Sequence, residues 1–234
     1  MTTPDLAAQF TGNTTIPFER IAKFVRQVTH DVRNGLNAMD LQAAYLAEVV
    51  TEPDTAEEVK RLREQIQQSA KSLQHLSANF WLSPPSFIEY SAPIFVEDFR
   101  ERLAKLCPDG NARLEWTVEL PEQNIKIDIE QIFAALAELC KNAHQFADPK
   151  QKIAVRAFAE GGQFVIEWQQ PLPAPVTDAE NFGQEPFVST RRGGYGLGLF
   201  RARMIVAAHG GEIHFSSESE AKSLTTRFSL PFAE

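Results

Sequence analysis

Cysteine is almost missing: a chain of 234 residues has two, Cys107 and Cys140. They are far apart and lack metal-ligand spacing, which argues against a disulfide framework or a zinc site and predicts two buried, reduced thiols. No apolar run approaches the length that crosses a bilayer. The stretch from Met1 to Asn13 is polar, without the basic start and apolar core of a signal peptide. These absences predict a cytoplasmic protein with no membrane insertion. Positive charge is in deficit, with 23 Lys and Arg against 31 Asp and Glu and a formal net charge of −8. Nucleic acid is therefore not an expected partner, because phosphate binding draws on clustered Lys and Arg. What is present is ordinary globular material, 43% hydrophobic and 23% charged, enough for one large domain or two modest ones.

From Pro17 to Val50 the apolar positions are Ile21, Val25, Val28, Val32, Gly35/Leu36, Met39, Ala43, Leu46 and Val50. Steps of three and four make this the seam of a helix in a bundle. Pro53 breaks it, and Asp54 or Thr55 is placed to cap a second helix with its own seam at Val59, Leu62, Ile66, Ser69/Ala70, Leu73, Leu76 and Phe80. The two form an antiparallel hairpin with a long apolar stripe to cover. A second copy packing there would complete a four-helix bundle, so a homodimer is expected.

Ser83-Pro84-Pro85-Ser86 cannot continue a helix and marks the domain boundary. The predicted organisation is a flexible N-terminus over 1–16, a hairpin over 17–83 and a second domain over 87–234. In that domain Glu97 to Leu106 reads as a helix, Arg113 to Leu120 as a strand, and Asp128 to Phe146 as a strongly amphipathic helix. Strands follow at Lys152–Phe158 and Gln163–Gln169. Pro171 to Gly194 lacks periodicity and is expected to be a long functional loop. A helix over Leu197–His209, closed by Gly210-Gly211, precedes strands near Glu212–Ser216 and Thr225–Leu230. The fold class is α+β: a helical hairpin followed by a sandwich of helices on a mixed sheet.

His30 lies two residues from both Val28 and Val32, about 200° round the helix, so it is expected to face solvent. Asn34 and Asn37 continue its stripe. A nucleophilic histidine needs that exposure and a neighbouring acid, the role open to Asp31. Asn34 could orient a water for hydrolysis of a phosphorylated partner. In the second domain Glu138 and Asn142 are four apart on one helix face, where an acid and an amide could activate an acceptor and hold Mg²⁺ against phosphates. Gly193-Gly194-Tyr195-Gly196-Leu197-Gly198 opens a helix, a place where backbone N–H groups reach phosphate oxygens. Each feature alone is as well explained by a solvated helix face or a flexible loop.

The string His30-Asp31-x-Arg33-Asn34-x-Leu36-Asn37 resembles the phosphoacceptor box of two-component histidine kinases, with Gly35 in place of the usual proline. Glu138 to Phe146 resembles the N box of the ATPase domain that these kinases share with DNA gyrase B. Phe182-Gly183-Gln184-Glu185-Pro186-Phe187 resembles the F box, Gly194 to Leu199 the second glycine box, and His209 to Ile213 and Phe228 to Pro231 the segments that close the domain. The resemblance implies phosphorylation on His30 with Asp31 and Asn34 beside it, and Glu138 as a catalytic acid. It also implies a nucleotide site at Asn142, Gln145, Gly194, Gly196, Leu197 and Gly198, with Asn142 on the metal. The implied substrate and cofactor are ATP and Mg²⁺, the implied partner a response-regulator receiver domain.

One part of the pattern is replaced. The first glycine box, Asp-x-Gly-x-Gly, should follow Phe164 to Trp168, where the chain has Gln169-Gln170-Pro171-Leu172-Pro173-Ala174-Pro175. Neither the acid nor the glycines are there; a Gln can offer a carbonyl oxygen where the acid accepts from the adenine amino group. Three readings stay open: a kinase that uses Mg-ATP, an ATP-independent phosphotransferase that binds no nucleotide, and a protein-binding scaffold.

Overall fold

Two long helices open the computed structural model, which describes residues 17–79, 83–106, 113–189, 195–218 and 222–233. The expectation of a flexible 1–16 segment lies outside them. The chain divides into two compact units, Met1–Trp81 and Leu82–Glu234. Helix α1 spans Phe18–Val49 and α2 spans Pro53–Asn79. Pro53 opens α2 rather than preceding its cap: with φ preset and no N–H to satisfy, proline suits a first helical position. Asp54 and Thr55 thus lie inside the first turn, where Thr55 Oγ1 donates to Glu52 Oε2 at 2.6 Å. No helix among the described residues is long and apolar enough to cross a membrane.

The single seam expected on α1 is two faces. Ala22, Thr29 and Ala43 are buried, as are Val59 and Ile66 of α2. Val28, Val32, Met39 and Leu46 lie to one side and are 43–55% exposed. The inner face is narrower and more polar than expected because small residues let α1 and α2 approach closely. Thr29 satisfies its own hydroxyl by donating to Val25 O at 2.7 Å. Asp40 accepts from Arg63 Nε across the hairpin at 3.3 Å, tying the two helices in register.

In the second unit β1 (Ile88–Ser91) pairs antiparallel with β3 (Asn124–Ile127), a small sheet with no clear sequence signal. Helix α3 runs over Ala92–Leu106, five residues earlier than the sequence suggested, with Pro93 in its first turn. The main sheet comprises β2 (Leu114–Glu119), β4 (Ile153–Glu160), β5 (Gln163–Pro171), β6 (Glu212–Glu218) and β7 (Ser223–Pro231). Its order is β2-β4-β5-β7-β6, antiparallel except for β2 with β4. Helices α4 (Ile129–Phe146) and α5 (Gly198–Ala208) complete the unit. One face of the sheet is core: Phe164, Ile166 and Trp168 of β5 are fully buried with Phe95, Phe99, Ile132 and Leu136 of the helices. Alternate residues of β4 are exposed, as a sheet covered on one side requires. Cys140 is buried, and Cys107 lies outside the described residues.

Asp128 is the joint of this unit. Its Oδ1 caps α4 by accepting from Gln131 N at 3.1 Å, and its Oδ2 accepts from Ser86 N at 2.9 Å. Its own N–H donates to Nε2 of buried His209 at 3.0 Å, while His209 Nδ1 donates to Ile205 O at 2.7 Å. Burial pushes the Asp128 carboxyl up, but the backbone N–H groups of Ser86 and Gln131 outweigh it and hold the carboxyl below its ordinary value. Such a group adds stability above the ordinary carboxylate range and loses it as pH falls through the lowered value. Asp128→Ala is expected to cost about 0.5–2 kcal/mol of unfolding free energy in urea titrations, the usual loss of a capping side chain. The gap between parent and variant should narrow on acidification; a gap constant from neutral to strongly acid pH would contradict this account.

Candidate functional site

The first candidate group sits on α1. Thr29 faces α2, so His30, one residue on, lies about 100° round the helix and Val28 about 100° the other way. The imidazole is therefore turned away from the uncovered apolar face, with its side chain 55% exposed. Asp31 Oδ1 lies 3.2 Å from His30 Nδ1, and Asn34 Nδ2 lies 3.4 Å from the same nitrogen. One nitrogen cannot serve both, since Asn34 wants a lone pair there and Asp31 a proton. The shorter, charge-assisted contact favours a protonated Nδ1. The lone pair is then on Nε2, which has no hydrogen-bond partner among the described residues. The His30 hydrogen bond, with Gln27 donating to the same carboxylate at 3.1 Å, holds the Asp31 carboxyl below the usual carboxylate value. Gln27 was not singled out from sequence; it lies one turn before Asp31, a spacing that was there to be read.

The second candidate group is built by α4 and α5. Burial of Ile132, Leu136, Leu139, Cys140 and Ala143 turns Glu138 and Asn142 to the margin of α4, both part-exposed. Glu138 reaches the start of α5 and ion-pairs loosely with Lys141 at 3.7 Å. A Cβ added to Gly198 would stand 2.6 Å from Glu138 Oε2, so a side chain there would make the carboxylate move aside. The structure thus brings the acid of one motif against the last glycine of the other. Leu197, just before α5, is buried. Gly196 has φ +65° and accepts from Phe187 N at 3.1 Å, and a Cβ on it would meet the backbone of Val188 at 2.5 Å. Gln145 is exposed near the end of α4, and Gly194 lies outside the described residues.

Arg203 escaped the sequence reading. It donates to Phe182 O and Ile213 O, both at 2.7 Å, tying the loop after β5 to β6. Nothing in the pattern around it distinguished it from any helix-surface arginine. At the end of β5, Leu172 fills a position where the resemblance expects glycine; it is 5% exposed, and its N–H donates to Lys222 O at 2.7 Å.

Comparison with known proteins agrees with this geometry. Residues 127–234 match the family described as histidine kinase-, DNA gyrase B-, and HSP90-like ATPase. The chain is 27% identical over 206 residues to the sensory histidine kinase/phosphatase NtrB of Salmonella typhimurium, covering 82% of this chain and 58% of that protein. It therefore spans little more than half the length of that relative. Among solved structures, full-length ShkA in complex with AMPPNP has the same fold, with a TM-score of 0.64 at 20% identity over 90% of this chain and 46% of that one. The catalytic domain of the histidine kinase ThkA gives 0.52 at 19% identity over 62% of this chain and 95% of that one. The second unit is an ATPase domain of the histidine kinase and gyrase B type. With the helical hairpin before it, the chain is similar to two-component histidine kinases along most of its length.

Gly196 and Gly161 separate conformational strain from crowding, since both have positive φ but nothing lies within 4 Å of a Cβ at Gly161. Gly161→Ala is expected to cost about 1–2 kcal/mol, the strain of a left-handed alanine. Gly196→Ala adds displacement of the Phe187–Val188 backbone and should cost clearly more in thermal denaturation, with faster hydrogen exchange at the Phe187 amide. Equal costs would show that the Gly196 approach is not tight.

Proposed function

We propose that the chain is a protein histidine kinase: it is phosphorylated on His30 from ATP and passes the phosphoryl group to an aspartate of a response-regulator receiver domain. The observation that carries this is the Asp31 carboxylate 3.2 Å from His30 Nδ1 on the exposed side of α1. In this reading the Nε2 lone pair attacks the γ-phosphorus as the bond to the ADP oxygen breaks, and Asp31 takes up the Nδ1 proton as positive charge develops on the ring. On transfer, a receiver carboxylate oxygen displaces the ring from phosphorus and the proton returns to Nδ1.

A triphosphate site on the second unit is supported by Glu138, which borders the start of α5, where backbone N–H groups suit phosphate oxygens, and by Asn142 one turn further along α4. No cluster of three or more metal-ligating side chains exists among the described residues, so Mg²⁺ would be held by Asn142 together with phosphate oxygens and water. Gln145, Gly194, Gly196, Leu197 and Gly198 complete the proposed nucleotide contacts. The exposed stripe of Val28, Val32, Met39 and Leu46 supports a homodimer, because a second copy would remove it from water. We place the activity in the cytoplasm. Asn34, whose Nδ2 is 3.4 Å from His30 Nδ1, is the candidate for orienting water against a phosphorylated receiver.

Buried Leu172 favours a second reading, an ATP-independent phosphotransferase, because it fills a position where the family leaves room. Mg-ATP labelled at the γ-phosphate separates the two. The kinase reading expects acid-labile label that His30→Ala abolishes and Asp31→Asn slows by about 10²–10⁴-fold, the usual worth of a general base. No label from ATP, with label reaching His30 from a phosphorylated receiver, would instead establish the phosphotransferase.

A further inference from the structure

The stretch from Ser83 to Phe87 carries no regular structure and lies mostly exposed, yet it is fastened to the second unit at Ser83, Ser86 and Phe87. Pro84 and Pro85 have no N–H to give, so the stretch has few backbone groups with which to hold itself. Side chains from the start of α4 do the holding. Gln131 Nε2 donates to Ser83 O at 3.0 Å and approaches Ser83 Oγ at 3.5 Å. Asp128 Oδ2 accepts from Ser86 N at 2.9 Å, and Gln131 Nε2 lies 3.4 Å from that same oxygen. The Phe87 ring meets the His209 ring edge-on, with centroids 5.1 Å apart. Capping α4 needs only Asp128 Oδ1 on Gln131 N. The second carboxylate oxygen and the Gln131 amide are left over from that task, and both go to the strap.

Where the strap is fastened decides how much chain is free. Helix α2 ends at Asn79 and β1 begins at Ile88. Fastened, the tether runs from Asn79 to Ser83, about 14 Å at full extension; unfastened, it runs on to Ile88, about 30 Å. The Asp40–Arg63 pair sets the register of the hairpin, so His30 lies level with Leu73, about 9 Å along the axis from Asn79. Glu138 stands two turns beyond Gln131 on α4, about 10 Å away. The short tether is thus already long enough to bring Glu138 to His30, and the long one adds only volume to search. Effective concentration falls as roughly the −3/2 power of tether length, about threefold between these lengths, and the reachable volume grows about tenfold.

We infer that Gln131, with Asp128, is a positioning residue for phosphoryl transfer: it straps Ser83 to α4, shortens the tether between the hairpin and the ATPase unit, and raises the frequency with which the nucleotide site meets His30. This rests on the kinase reading above. Gln131 stands two turns from Glu138, so its loss should slow the encounter and leave the nucleotide site as it was.

Phosphorylation of the full chain by γ-labelled Mg-ATP, over a range of ATP concentrations, tests this in the parent, Gln131→Met and Gln131→Lys. Methionine keeps the length and loses the donor; lysine restores a donor for the Ser83 carbonyl. Gln131→Met should lower kcat for His30 labelling about three- to tenfold with KM for ATP unchanged, and Gln131→Lys should recover most of it. Both should melt within about 2 °C of the parent, as changes at a part-exposed site do. Paired spin labels, one on α2 and one on α3, should show a broader spread of distances in Gln131→Met than in the parent or Gln131→Lys. A kcat unchanged or raised in Gln131→Met overturns the inference and leaves the kinase reading standing. A fall in kcat without the broader spread, or with a raised KM or a lower melting point, makes Gln131 a structural residue of α4, and the inference fails. A parent that takes no label from ATP overturns the kinase reading and the inference with it.

Discussion

The face of α4 bearing Ile132, Leu136, Leu139 and Ala143 is pressed onto the sheet, and that burial sets the helix's rotation. Glu138 and Asn142 have no freedom to be elsewhere: being four apart and off the buried face, they must line the margin next to α5. The Asp128 cap and the His209 ring then fix where α4 starts, because one backbone N–H and one carboxylate join α4, the C-terminal end of α5 and the segment at Ser86. The Glu138 approach to Gly198 follows from these two constraints. It needs no specific attraction between the acid and the glycine, only the absence of a side chain where the carboxylate arrives.

In the hairpin the governing constraint is the division of α1 into three faces. Small residues meet α2, larger apolar residues stand uncovered to one side, and His30 with Asp31 and Asn34 occupies the other. The imidazole is thereby kept away from the uncovered apolar face. The Asp31 contact adds chemistry to this placement, since a carboxylate on one ring nitrogen decides which nitrogen keeps the lone pair.

The end of β5 is where the chain departs from the motif pattern that it otherwise resembles. Gln170-Pro171-Leu172 exchanges an acid and a glycine for an amide, a ring and a bulky side chain. Leu172 is packed away, and the Gln170 amide is buried without a hydrogen-bond partner among the described residues, as is Trp168 Nε1 on the same strand. Such breaks in local consistency tend to coincide with function.

Much of this was legible in the sequence. The long helices and the apolar face of α4 announced themselves by periodicity, which is local physics. The exposure of His30 followed from its phase against Val28 and Val32. Local pattern could not reveal β1 and β3, four residues each, whose pairing joins residues from Ser91↔Asn124 to Ile88↔Ile127 that are far apart in the chain. Nor could it separate the α2-facing side of α1 from its uncovered side, since both are apolar and only packing tells them apart. The amino-acid order alone set a histidine, an acid and an amide within one turn of α1, and an acid and an amide four apart on α4. Tertiary structure alone decided that Glu138 meets Gly198, that Arg203 braces a loop and that the Gln170 amide is buried with no partner among the described residues, because each depends on groups distant in the chain and on what burial removes from water.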